Sequence, residues 1–154
     1  MMPFAKITLV SLFVVFFFSC KTKEDRYLDR LEGTWTIDRL ERRQINADGT
    51  VEVLTDERSV GTLTMVVATY GDLDLESLKD FVFDYTENGQ PVHVEGTLKV
   101  DEQAKRVIVL GGTCIQCDLA YTVEVNQKGK QVWSTFSYDS QNNRSFKLTY
   151  TMSK

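Results

Sequence analysis

The chain has 154 residues, 42% of them apolar and 26% charged, and a formal charge of −4. This composition fits one globular domain and lacks the bias of a disordered or fibrous chain. The acidic balance argues against a nucleic-acid partner.

Five of the nine phenylalanines, Phe4, Phe13, Phe16, Phe17 and Phe18, fall within the first nineteen positions. Lys6 is the only charged side chain before Lys21, and the apolar run from Ile7 to Ser19 ends at Cys20. A basic start, a short apolar run and a small residue before the cut are the plan of a secretory signal. As a helix, positions 7–19 would reach only about 20 Å at roughly 1.5 Å per residue, against a hydrocarbon core of roughly 30 Å. A membrane span is therefore not expected. Phe17-Phe18-Ser19-Cys20 resembles the lipobox of bacterial lipoproteins, with Ser19 and Cys20 carrying the match and Phe17-Phe18 departing from it. The resemblance implies a diacylglyceryl group on Cys20, cleavage before it, and a chain held on the outer membrane of a cell envelope by its lipid. An ordinary signal peptide that leaves Cys20 free is the alternative. Loss of residues 1–19 leaves 17 basic and 22 acidic residues, a balance of −5.

The expected organisation is a signal peptide over 1–19, a lipidated cysteine and tether over 20–30, and a folded domain over 31–154. Lys21 to Arg26 is charged and has no apolar periodicity, which suits a solvated spacer. Lys23-Glu24-Asp25 also resembles a weak form of the acidic surface-export signal of some Gram-negative lipoproteins. Tyr27–Leu31 reads as a helical turn or two, as does Asp72–Lys79, where Leu75 and Leu78 stand at helical spacing.

From Trp35 onward the apolar pattern has period two, the mark of half-buried antiparallel strands. Val92 to Val100 shows it clearly, with apolar even positions and polar odd ones. Asp48-Gly49 and Asn88-Gly89 are short-hairpin dipeptides, since both residue types reach the positive φ that primed turns need. The predicted strands are 34–43, 50–56, 60–69, 80–86, 91–100, 105–110, 118–126, 131–138 and 145–152. Eight or nine consecutive strands with short connections and little helix point to an all-β fold. A single up-and-down antiparallel barrel is favoured, because closure removes exposed strand edges.

Gly33-Thr34-Trp35, opening the first strand after a short helix, resembles the Gly-x-Trp start of the calycins, the lipocalins and fatty-acid-binding proteins. The resemblance implies that Gly33 turns the chain into the strand and that Trp35 plugs one end of the barrel. It also implies a basic residue over the Trp late in the last strand, for which Lys154 is the candidate. What it implies of function is binding, not chemistry. Barrels of this size are either packed solid or hold one small ligand. Inward candidates by parity are Phe81, Phe83, Tyr85, Val94, Leu98, Leu119, Tyr121, Val123, Phe136, Tyr138, Phe146, Leu148 and Tyr150. The expected partner is a small apolar ligand or lipid in the barrel. The alternative is a solid barrel that docks another envelope protein through its loops or outer wall.

Signs of catalysis are sparse. His93 is the only histidine and occupies an outward position beside Glu95. No nucleophile, phosphate-binding loop or metal motif accompanies it. Neither enzyme activity nor a cofactor is expected, and Asp72, Asp74 and Glu76 read as a solvated acidic turn. Cys114-Ile115-Gln116-Cys117 carries distinct chemistry. An oxidising envelope favours a local disulfide, helped by the flexible Gly111-Gly112 just upstream. A soft-metal site would need further ligands, with His93 and Met65 as candidates. A redox pair lacks the βαβ setting of thioredoxin-like motifs.

Overall fold

A computed structural model describes residues 23–101, 103, 105–112 and 120–154. Helix α1 (Lys23–Leu31) precedes eight strands: β1 (Gly33–Ile45), β2 (Val51–Tyr70), β3 (Leu73–Glu87), β4 (Gln90–Asp101), β5 (Arg106–Gly112), β6 (Ala120–Gln127), β7 (Lys130–Asp139) and β8 (Arg144–Ser153). Each strand pairs antiparallel with its successor, and β8 returns to pair with β1 from Thr36↔Ser153 to Ile45↔Ser145. The result is the all-β, up-and-down closed barrel that the alternating pattern predicts.

Three elements differ from the sequence expectation. The segments 50–56 and 60–69 form one strand, β2, which bends at Ser59 with φ +51° rather than stopping there. At the bend a side chain on Gly61 would run into the backbone of Asp84 and Tyr85, so only glycine lets β2 approach β3 this closely. The helix expected over Asp72–Lys79 is not formed: Asp72 is in a turn and Leu73 to Lys79 is strand. Gly71 with φ +61° makes a tight turn, after which Leu73, Asp74 and Leu75 pair with Tyr70, Thr69 and Ala68. Two leucines three apart give too narrow a stripe to nucleate a helix, whereas the long β2 offers a ready ladder. Lys23 to Arg26, expected as tether, is the first turn of α1. Its helicity comes from Tyr27, Leu28 and Leu31, which bury one face against the barrel at 2%, 2% and 0% exposure.

The helix, the β2–β3, β4–β5 and β6–β7 turns and the chain's last residue lie at one end of the barrel. The β1–β2, β3–β4 and β7–β8 turns lie at the other. The core occupies the half nearest the helix, where Trp35, Ile37, Leu63, Met65, Val107 and Met152 are fully buried. Among the described residues no helix is long and apolar enough to cross a membrane.

Candidate functional site

The helix end of the barrel is closed by contacts that begin at Gly33. Its φ of +104° is a glycine conformation, and a Cβ there would stand 2.9 Å from Lys154 Nζ. The turn it makes carries Trp35 under the helix, where the indole Nε1 donates to Leu31 O at 2.7 Å and satisfies a carbonyl that the helix end leaves open. Lys154 lies 5.3 Å from the centre of the Trp35 ring and donates to Glu32 O. Gly33, Trp35 and Lys154 are thus brought together at one end.

Two neighbours of this plug were not singled out from the sequence. Lys79 is 1% exposed, and its Nζ lies 2.9 Å from Glu32 Oε2. Gln131, fully buried, accepts from Tyr27 Oη and Trp133 Nε1 and donates to Asn126 and Gln127. Burial drives the Tyr27 phenol above its ordinary range. Lys79 shares the odd parity of Phe81, Phe83 and Tyr85, so its inward direction was readable once the helical reading of 72–79 is dropped.

Towards the other end the inner wall changes character. Phe81, Phe83, Leu98 and Tyr150 are at most 5% exposed, but Tyr85, Val94, Tyr121 and Leu148 are only partly buried, as is Phe146. Three tyrosines meet here. Tyr85 Oη and Tyr150 Oη share a hydrogen bond of 3.2 Å, and the Tyr121 ring stands edge-on to Tyr150 at 6.0 Å. Burial first, then the neighbouring Tyr121, Tyr85 and Glu87, hold the Tyr150 phenol well above its ordinary value.

Above the tyrosines the wall turns polar. Arg42 pairs across its ladder with Leu148, and Gln44 with Phe146, which points both inward. Arg42 Nη2 lies 2.5 Å from Glu87 Oε1, bridging β1 and β3 across the mouth. A cleft of about 440 Å³ opens beside the β3–β4 hairpin, where β2 bends away, lined by Val60, Tyr85 and Val92 and by the outer-wall residues Asp84, Thr86, Pro91 and His93. Arg42 and Gln44 could not be read from parity, because the irregularity between Ile37 and Arg39 moves the inward phase of β1 from odd to even positions.

Phe136 and Tyr138, expected to line the interior, point outward at 55% and 63% exposure. The phase of β7 is set by Trp133, which faces Tyr150, so Ser137 and not Phe136 meets Phe146. Phe136 lies opposite Lys147, whose ammonium is 5.6 Å from its ring. His93 is exposed on the outer wall, with Nδ1 2.5 Å from Asp84 Oδ1. Met65 is buried on the inner face, so these two metal candidates lie on opposite sides of the wall. Among the described residues no three His, Cys, Asp or Glu side chains gather around a metal-sized centre. Cys20, Leu119, Cys114 and Cys117 lie outside the described residues.

No family model matches the chain, and no curated protein matches it. Solved structures do. An S-type phycobiliprotein lyase from Guillardia theta aligns at 11% identity over 87% of this chain and 93% of that one, with a TM-score of 0.51. A deswapped triple mutant of bovine odorant-binding protein aligns at 14% identity over 81% of this chain and 74% of that one, at 0.42. A de novo fluorescence-activating β-barrel aligns at 17% identity over 84% and 97%, at 0.39. Likeness at such identities concerns the fold alone, a closed antiparallel β-barrel.

Proposed function

We propose that this protein is a lipid-anchored binding protein of the bacterial envelope, whose barrel holds one small ligand in the half nearest its mouth. It binds rather than converts. The observation that carries the reading is the gradient along the inner wall, from side chains with no exposure around Trp35 to partly exposed Tyr85, Val94, Tyr121 and Leu148 under a polar rim. A packed floor with an open upper half is a cup, and small-ligand sites are concave and mainly apolar with a few placed polar groups. The floor also limits the occupant, since Leu63, Met65 and Trp133 leave no channel along the barrel axis for a long acyl chain. The anchor is Cys20, on the strength of the signal-like segment before it.

Native mass spectrometry of detergent-extracted protein tests both parts. The expected spectrum shows a diacylglyceryl mass on the chain and one small molecule retained per barrel. A chain of unmodified mass rejects the anchor, and an empty barrel that takes up no compact apolar compound rejects the cup.

A second reading, docking of another envelope protein, has its own support. Four of the seven large apolar side chains exposed among the described residues lie on one outer face at the mouth end: Val51, Val53, Phe136 and Tyr138. The ladders align them in rows across β2, β1, β8 and β7, with Val53, Arg43, Lys147 and Phe136 in one row and Val51, Ile45, Ser145 and Tyr138 in the next. The face is mixed, with Arg43 and Lys147 between Val53 and Phe136, and exposed apolar side chains set among charges suit a protein partner. The cup and this face are separate, so one chain can use both.

A further inference from the structure

We propose that a notch beside helix α1, at the closed end of the barrel, is a second site, which takes the phosphate headgroup of an anionic phospholipid. The inference goes beyond the cup and does not depend on it. It rests on the Cys20 anchor only for where the bilayer lies.

The notch follows from unequal strand lengths. β5 and β6 pair over three residues, from Arg106↔Thr122 to Ile108↔Ala120, and just beyond them Val123 N donates to Lys105 O at 2.8 Å. From there β6 runs on past the β4–β5 turn to Gln127, with β7 along its other side. The space left on the β5 side, about 400 Å³, is lined by Lys23 and Tyr27 of the helix, Gln103 and Lys105 of the turn, and Val123 and Asn126 of β6. Tyr27 and Val123, at 2% and 8% exposure, give it an apolar floor. An apolar floor with a few placed polar groups is the usual build of a small-ligand site.

Charge selects the occupant. Lys23 and Lys105 bring two ammonium groups, and neither ammonium is in an ion pair or hydrogen bond with any described residue. Glu124, which also borders the notch, is already committed. Lys147 Nζ lies 2.5 Å from its Oε1, and Ser134 Oγ donates to the same oxygen at 2.7 Å. Asn126 Oδ1 accepts from Gln131 Nε2, which leaves the Asn126 amide hydrogens for a ligand. Ammonium and amide donors converging on one space suit the oxygens of a phosphate. Place then selects among phosphates. Lys23 opens the helix three residues after Cys20, so an acyl group on that cysteine brings the notch to the membrane surface, where anionic headgroups attract basic side chains. A soluble phosphate ester gains nothing from this placement.

The test labels lysines. Detergent-extracted protein is acetylated with an amine-reactive ester in the presence of phosphatidylglycerol, phosphatidylcholine or glycerol 3-phosphate, and each lysine is read by peptide mass spectrometry. Phosphatidylglycerol should slow labelling of Lys23 and Lys105 several-fold, while Lys128, at the same end but off the notch, changes little. Phosphatidylcholine should protect neither. Lys105→Gln, a change on an exposed turn, should remove the protection of Lys23. Equal protection of Lys23, Lys105 and Lys128 would overturn the site, because it would mean a diffuse attraction to an anionic surface. So would no protection at all, or protection of Lys23 that survives Lys105→Gln. Glycerol 3-phosphate protecting as well as the lipid at equal concentration would overturn the lipid assignment. Should Lys105→Gln fail to fold, the pattern on the unaltered chain still decides. The intact mass of the same sample reports the Cys20 acyl group separately, so failure of the anchor and failure of the notch are told apart.

Discussion

His93 stands on the outer wall, 57% exposed, yet its environment is not neutral. The hydrogen bond to Asp84 raises its pKa above the ordinary value, and the charges of Asp84 and Glu95 add to this against a small desolvation effect. Because the folded value is the higher one, its contribution to stability is fully present below about pH 6.5 and is lost as pH rises through the folded pKa. A proton NMR titration of the imidazole should place its midpoint above 6.5, and a Glu95→Gln, Asp84→Asn double variant should bring it back. An unshifted midpoint would show that the Asp84 contact does not persist in solution. At the buried extreme stands Trp35. Replacing it by Ala removes a large core side chain and leaves Leu31 O without its donor, so about 3–5 kcal/mol of stability should be lost in a urea melt. A loss under about 1 kcal/mol would mean that the plug is not formed.

At the level of elements, β2 shows what a single close approach demands. Gly61→Ala would place a methyl group against Asp84 O and 2.5 Å from Tyr85 Cα, backbone that cannot yield. The expected cost is about 3 kcal/mol or more, again by urea melt, and a near-neutral result would mean that β2 and β3 can part here. Much of the barrel was legible because alternation is a local signal. Val92 to Val100 and Phe81 to Tyr85 show their buried faces directly. What was hidden depended on partners distant in the chain. The Phe136 and Tyr138 parity looked inward because two aromatics outweigh one, but Trp133 is the side chain that Tyr150 receives. The bulge in β1 concealed Arg42, and the ladder offered by β2 made a strand of a segment spaced like a helix turn. Thus the fold and the plug could be read, while the polar rim of the cup could not. The Cys114-Cys117 pair belongs to the connection between β5 and β6. We expect both thiols in exported protein to resist alkylation until a reductant is added, as a disulfide in an oxidising compartment would. Two thiols freely alkylated without reductant would reject it, and protection lifted by a chelator alone would assign a metal.

The whole molecule is polar in the architectural sense, and this gives the proposed anchor a consequence. Helix α1 begins at Lys23 on the closed end, and Cys20 is three residues upstream, within about 11 Å of it even if fully extended. An acyl group on Cys20 would therefore bring the closed end to the bilayer. The mouth lies at the opposite end of strands such as β1, whose thirteen residues span about 30 Å once the tilt of barrel strands is allowed for. Ligand would then enter the cup from the aqueous side and not from the lipid, and the outer face around Phe136 and Tyr138 would be held away from the membrane. The prediction can be checked with lipidated protein in vesicles containing spin-labelled lipid, carrying a fluorophore on Asp48→Cys at the β1–β2 turn or on Lys128→Cys at the β6–β7 turn. Quenching should be strong at position 128 and weak at 48. Equal quenching would show that the domain tumbles on its tether, and the reverse order would mean that the mouth opens onto the membrane.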